Sequence, residues 1–208
     1  MKDVLRKIRE INRYIKDNFL KLSVVLFGIF ILSAVVSYFV MLSLPREEIE
    51  LAIESLKEMF DIDNMMEKRG LELFWAIFVN NLKACGISFV SAIIPFLFYP
   101  LWSVISNGIS SGMVYGMCSY VGAENMFMET LKFVVPHAIF EIPIFLLSSA
   151  IGLRWCVWLL KKMFGKGKDI SLKYHFERLS EIMVVYIIPF LLIAGFLEGV
   201  VEPWVFGM

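Results

Sequence analysis

The stretch Pro136-His137-Ala138-Ile139-Phe140-Glu141-Ile142-Pro143 lies inside an apolar segment that is long enough to cross a bilayer. His137 and Glu141 are four residues apart, so on a helix they project from the same face. Ionisable side chains are costly inside a membrane and usually face a protein interior or a cavity. The stretch therefore predicts a membrane-spanning helix that presents a histidine–glutamate pair to an internal site.

The composition indicates an integral membrane protein. Hydrophobic residues make up 59% of the 208 residues, whereas soluble domains average about 45–50%. The formal net charge is zero, which says nothing about nucleic acid, and we predict no nucleic-acid partner. The charges are segregated along the chain. Residues 1–21 and 161–178 are rich in lysine and arginine, and residues 45–72 are rich in aspartate and glutamate. This alternation is typical of membrane topology, because basic segments stay on the cytoplasmic side.

We predict an all-α polytopic membrane protein with about five transmembrane helices. Residues 1–21 form a basic cytoplasmic interfacial helix, residues 22–44 the first span, and residues 45–70 an acidic extracytoplasmic amphipathic segment. Residues 71–208 form a four-helix membrane core, with spans near 71–99, 101–120, 131–160 and 182–206 and a cytoplasmic loop at 161–180. A re-entrant turn between Ile94 and Ser106 is an alternative for the second connection. The N-terminus is expected in the cytoplasm and the C-terminus outside.

Glycines in the third predicted span favour close contact between helices. Gly108, Gly112 and Gly116 recur at four-residue intervals, a spacing that lets helix backbones approach closely in lipid. Asn107 could add a hydrogen bond across the same contact. We expect this face to mediate helix packing and to form a homo-oligomer, with a dimer favoured.

Polar side chains of separate spans are predicted to share one layer of the membrane. A rise of about 1.5 Å per residue, counted from the outer ends of the spans, places most of them in the outer half of the bilayer, with Asn107 deeper. The predicted buried polar cluster comprises Asn80, Asn81, Lys83, Asn107, His137, Glu141 and Glu198. We expect these side chains to satisfy one another, because an unpaired polar group in hydrocarbon costs several kcal/mol.

Four interpretations of this cluster are open. A structural role would pair Lys83 with Glu141 or Glu198 and let the amides satisfy carbonyl groups freed by the prolines. A metal site would use His137, Glu141 and Glu198, a set that suits zinc, although a nearby Lys83 would repel the ion. A proton or substrate path would use the same groups as one titrating unit. An enzyme is the fourth interpretation, but a His–Glu pair alone does not predict catalysis and no nucleotide-binding or hydrolase motif is present.

Four motifs of the chain carry a resemblance to a known family. They are Phe78-Val79-Asn80-Asn81 with Lys83, Asn107-Gly108 with Gly112, Pro136-His137-x-Ile139-Phe140-Glu141-x-Pro143 with Gly152, and Ile193-Ala194-x-x-Leu197-Glu198 with Pro203. In these motifs the chain resembles the stage II sporulation protein M family of integral membrane proteins. It departs from the family pattern at Ala138, where glycine is usual, and at Ile144, where a small residue is common.

The resemblance implies a polytopic membrane scaffold in the cell membrane. In spore formers such proteins act with peptidoglycan-degrading partners during engulfment, and relatives also occur in bacteria and archaea that do not sporulate. We expect a scaffold that recruits or anchors membrane or cell-envelope partners. Segment 45–70 is either a solvated or interfacial helix or a docking surface for an extracytoplasmic partner. The alternatives are a transporter or permease-like protein that uses the buried site, and an intramembrane metal-binding protein or enzyme. We predict no catalytic residues and no required cofactor, with zinc as the one candidate metal.

Overall fold

The computed structural model describes residues 2–59, 67–91, 94, 98–120, 126–166 and 172–206. Its elements are α1 (Lys2–Asn18), α2 (Leu20–Ser43), α3 (Arg46–Met59), α4 (Leu71–Val90), α5 (Tyr99–Tyr120), α6 (Met126–Met163), α7 (Leu172–Ile182), the π-helical segment π1 (Met183–Ile187), α8 (Ile188–Phe196), the π-helical segment π2 (Leu197–Val201) and α9 (Glu202–Phe206). The residues that join the last five elements keep helical dihedral angles. Residues 172–206 therefore form one helix with two widened turns, which we call the C-terminal helix.

Every element of the described residues is helical, which confirms the predicted all-α class. Four stretches are long and apolar enough to span a membrane: Leu20–Ser43, Leu71–Val90, Val134–Met163 and Phe176–Val205. α5 has 22 residues, enough to span, but its serines and glycines make it less apolar than those four. The described residues thus contain four apolar spans and a fifth helix of sufficient length, so the predicted number of about five holds approximately.

Several boundaries differ from the predicted ones. The predicted loop at 161–180 is shorter, because α7 begins at Leu172 and packs the apolar side chains of Leu179 and Ile182 against the core. Residues 99–106, which we considered for a re-entrant turn, belong to α5. Segment 45–70 contains α3, and its residues 60–66 lie outside the described residues.

The apolar core joins α2, α4, α6 and the C-terminal helix, and α1 packs against it. Ile11 of α1 is 1% exposed and Phe19, which follows α1, is 3% exposed, and both belong to the core cluster. Lys7 of α1 also forms an ion pair with Glu181 of the C-terminal helix at 3.1 Å. The predicted interfacial helix is therefore docked against one end of the bundle, so the start of α2 is held in place.

The glycine face of α5 is filled by α2. A Cβ atom at Gly108 would lie 2.5 Å from the carbonyl oxygen of Phe30, and the approach at Gly112 is closer still. Beside Gly112, the hydroxyl of Ser37 donates a hydrogen bond to a backbone carbonyl of α5 at 2.9 Å. Gly116 faces α2 in the same way. The glycines thus pack helices within the chain, and the predicted homo-oligomer would have to use another surface.

We predict that Gly112→Ala destabilises the protein by about 1–3 kcal/mol, because the added methyl group would overlap the backbone of α2. Gly28→Ala is the matched control, since a Cβ atom at Gly28 meets nothing within 4 Å. Alanine is favoured over glycine in a helix by about 1 kcal/mol, so this control should be neutral or stabilising. Reversible unfolding in detergent micelles, followed by circular dichroism, measures both variants. Equal stability of the two variants would contradict the packing described for α5.

Candidate functional site

α6 presents His137 and Glu141 on one face, in a stretch bounded by two prolines. Pro136 and Pro143 both lie inside α6, which is helical from Met126 to Met163. A proline lacks the backbone N–H group and its ring clashes with the carbonyl group four residues earlier, so the helix is distorted there. The stretch 136–143 is thus helical throughout, and its two ionisable side chains project from the same face, as predicted.

The C-terminal helix widens at two places, and each place precedes a proline. π1 and π2 both end two residues before a proline, which is Pro189 in the first case and Pro203 in the second. Proline has no backbone N–H group, so one hydrogen bond of the helix is missing, and a wider π turn accommodates this loss. Glu198 lies within π2 and Glu202 follows directly after it, so the second widened turn carries both acids.

His137, Glu141 and Glu198 lie together where α6 meets the C-terminal helix. One possible ligand atom of each side chain, a ring nitrogen or a carboxylate oxygen, lies within 4.8 Å of the other two. The side chain of His137 is only 14% exposed. The structure therefore brings together three of the predicted cluster residues, from two helices that are far apart in the chain.

Glu202 joins this group, although it was not among the predicted site residues. Its Oε1 atom accepts a hydrogen bond from Nδ1 of His137 at 3.0 Å, and its side chain is 7% exposed. A carboxylate acceptor requires the proton on Nδ1, which leaves Nε2 of a neutral ring with a lone pair. The sequence spacing indicates this position, because Glu202 follows Glu198 by four residues and so shares its helix face, as Glu141 does with His137. We call these four residues the His–Glu cluster.

The predicted asparagines lie around a cavity beside the His–Glu cluster. This cavity of about 250 Å³ is lined by Asn80, Asn81, Asn107, His137 and Glu141 together with apolar side chains. The amide of Asn81 lies close enough to the carboxylate of Glu141 to interact with it. Asn107 donates to the carbonyl oxygen of Ser103 in its own helix at 2.8 Å, and the side chains of Asn80 and Asn107 are exposed. Of the three amides, Asn81 is thus the one with a described contact to the acids.

Lys83, in contrast, lies away from the cluster. Its side chain is exposed, and it does not line the cavity. Two residues along a helix correspond to a rotation of about 200°, so Lys83 projects to a different face from Asn81. Within the described part of the chain, no lysine or arginine forms an ion pair with Glu141, Glu198 or Glu202. The predicted pairing of Lys83 with Glu141 or Glu198 is therefore wrong.

The His–Glu cluster holds more acidic than basic groups in an apolar setting. Three carboxyl groups face one imidazole, and buried charges without partners are strongly disfavoured. Protons or a bound cation must therefore offset the negative charge. One imidazole and two carboxylates are ligands that zinc accepts, and a carboxylate on the second ring nitrogen is the usual way to orient such a histidine.

Comparison with known proteins gives the chain a family context. A family model described as Stage II sporulation protein M matches residues 23–203, which include all four residues of the His–Glu cluster. The uncharacterized protein MJ0706 of Methanocaldococcus jannaschii is 24% identical over 214 residues, which cover 96% of this chain and 90% of the relative. No solved structure matches the chain.

We predict that His137 and Glu202 stabilise the protein jointly. His137→Ala and Glu202→Ala should each lower the free energy of unfolding by about 1–3 kcal/mol, because each removes one partner of the buried hydrogen bond and leaves the other unsatisfied. The double variant should lose less than the sum, with a coupling energy of about 1 kcal/mol or more. Unfolding in detergent micelles measures the cycle.

The exposed ion pair between Arg46 and Glu50, with a separation of 3.0 Å, provides the control cycle. Its coupling energy should not exceed about 0.5 kcal/mol, as is usual for solvated pairs within one helix. Strictly additive losses for His137 and Glu202 would show that the two side chains do not depend on each other.

Proposed function

The chain belongs to the stage II sporulation protein M family, and on this premise we propose that it is a multi-pass membrane scaffold that recruits or anchors cell-envelope partner proteins. Four apolar helical stretches support the membrane location. The scaffold role is supported by a helix outside these stretches, which presents a surface for a partner. In a spore former, the partners implied by the family resemblance would be peptidoglycan-remodelling proteins.

The exposed acidic face of α3 carries this proposal. Ile49 is completely buried, and α3 contacts α5, so the helix is held against the bundle. The glutamates of α3 whose side chains are described are all exposed, and they are Glu47, Glu48, Glu50 and Glu54. Leu51 lies among them and is 64% exposed. A helix held in a fixed position, with several exposed carboxylates and an exposed apolar side chain, can bind a partner whose surface is basic.

The charge distribution supports an orientation with the N-terminus in the cytoplasm and the C-terminus outside. Residues 1–21 carry seven lysines and arginines, and the end of α6 carries Lys161 and Lys162. Basic segments next to spans remain in the cytoplasm, whereas acidic segments are free to cross. In this orientation α3 lies outside the cytoplasmic membrane, where cell-envelope partners are found.

We further propose that the His–Glu cluster binds a divalent cation, with zinc as the first candidate, and thereby fastens α6 to the C-terminal helix. The objection that Lys83 would repel the ion does not apply to the observed arrangement, because Lys83 is exposed and does not line the cavity. Bonds of about 2.1 Å to zinc hold ligand atoms no more than about 4.2 Å apart. Since the three candidate atoms already lie within 4.8 Å, a small closure would complete the site.

Transport of a cation is the second candidate function, and the cavity beside the His–Glu cluster favours it. The exposed side chains of Asn80 and Asn107 line this cavity together with Glu141, so polar groups lead from the surface of the bundle to the acids. The two functions differ in how long the ion stays. A structural ion would be retained, whereas a transported ion would exchange readily.

We predict about one zinc ion per chain in protein purified without chelators, by the stoichiometry of a single site. His137→Ala should abolish this signal in elemental analysis, because it removes the imidazole ligand. Lys83→Gln is the matched control and should retain the metal. Retention during dialysis against a chelator would support the scaffold, and rapid exchange would support transport. Absence of metal from wild-type protein, before and after incubation with zinc, would refute the cation site.

The docking surface is tested separately. We predict that the triple variant E47Q/E48Q/E54Q loses partners that wild-type protein captures by cross-linking in native membranes, because these exposed carboxylates attract a basic surface. The control variant E67Q/E72Q/E177Q removes the same charge from exposed glutamates outside α3. Quantitative mass spectrometry should show a several-fold loss for the first variant and none for the control. Equal recovery from both variants would exclude α3 as the docking surface.

A further inference from the structure

A second groove lies where α1 joins α2, and the residues of the His–Glu cluster do not line it. This groove, which we call the junction groove, has a volume of about 710 Å³. Lys16, Lys21 and Arg154 line it together with the apolar side chains of Leu20 and Val25. It thus combines a cationic part and an apolar part in one place.

The position of the junction groove relative to the membrane follows from α2. The apolar stretch of α2 begins at Leu20, and Lys16 and Lys21 lie within about one helical turn of that point. Leu20 and Val25 are 48% and 57% exposed, so they face the surroundings of the bundle. The cations are therefore at the level of lipid headgroups, and the apolar side chains are at the level of acyl chains.

Arg154 is the least expected member of the groove, because it is an exposed arginine within the apolar stretch Val134–Met163 of α6. Its guanidinium group donates hydrogen bonds to the backbone carbonyl and the side-chain oxygen of Asn18. The guanidinium carbon also lies 5.8 Å from the ring centre of Phe19. The charge is thus held in a fixed place by neutral partners.

The described residues that line the groove do not balance its charge. Asp17 is the acidic residue among those that line it, against the three cations, which leaves two positive charges. Arg154 forms no ion pair with a carboxylate in the ranges that the structure describes. The neutral partners of Arg154 leave its positive charge uncompensated, and a guanidinium group matches the geometry of a phosphate.

We propose that the junction groove binds the phosphate group of an anionic phospholipid, with its acyl chains along α2. Lys16, Lys21 and Arg154 contact the phosphate, and Leu20 and Val25 contact the acyl chains. The bound lipid connects α1, α2 and α6 at the end of the bundle opposite α3. This site is independent of the partner surface on α3 and of the His–Glu cluster.

The test uses full-length protein in nanodiscs of phosphatidylcholine that contain phosphatidylglycerol. Native mass spectrometry after transfer to mild detergent counts the lipids that remain bound. Wild-type protein should retain phosphatidylglycerol in preference to phosphatidylcholine. Arg154→Gln should lower the retained phosphatidylglycerol about fivefold or more, because one cation near a membrane surface contributes roughly that factor. Lys21→Gln should lower it as well, while leaving the contact between Arg154 and Asn18 intact.

The control is Lys166→Gln, which removes the same charge from an exposed residue beyond the end of α6. It should change retention less than twofold. Equal losses for Lys166→Gln and Arg154→Gln would show that the overall positive charge of the protein attracts the anionic lipid, and would overturn the proposal. Unchanged retention in both groove variants would also overturn it. Displacement of the lipid by excess inorganic phosphate would also overturn it, because the groove would then select soluble phosphate.

Discussion

A charged side chain cannot remain unpaired in hydrocarbon, and this constraint accounts for the centre of the molecule. The hydrogen bond between His137 and Glu202 joins α6 to the C-terminal helix across 65 residues of sequence, and Glu141 and Glu198 gather around it. Prolines lie beside these residues in both helices, and Glu198 in π2 and Glu202 directly after it face α6. Within the described residues no lysine or arginine pairs with these acids, so the polar groups have one another as their main partners.

Spacing along a span gives an expected depth for a polar residue in a membrane but not the direction in which the residue projects. His137, Glu141 and Glu198 have similar expected levels, which predicts that they lie together, and in the structure one ligand atom of each lies within 4.8 Å of the other two. Lys83 shares that level but lies about 200° from Asn81 around α4, and the structure shows it exposed. Glu202 was missed because it lies near the end of its span, where a carboxylate could have faced water.

The glycines of α5 show another limit of sequence patterns. Their spacing predicts a close helix contact but does not identify the neighbour. The neighbour proves to be α2 of the same chain, whose backbone approaches Gly108 and Gly112 closely. The surfaces proposed for function lie elsewhere, on α3, at the His–Glu cluster and in the junction groove. α6 connects the last two, because His137 and Arg154 are separated by about 25 Å of helix.

The pairing of α2 with α5 has a consequence for the synthesis of the protein. The hydrogen bond from Ser37 to Ile109 joins residues that are 72 positions apart. At about 5–20 residues per second, α2 leaves the ribosome roughly 4–14 s before its partner. During this interval the serines and close-packed backbone of α2 have no helix to cover them. Until α5 is synthesised, this face of α2 contacts the insertion machinery or the surrounding lipid. The α2–α5 contact therefore forms only after α5 has been inserted.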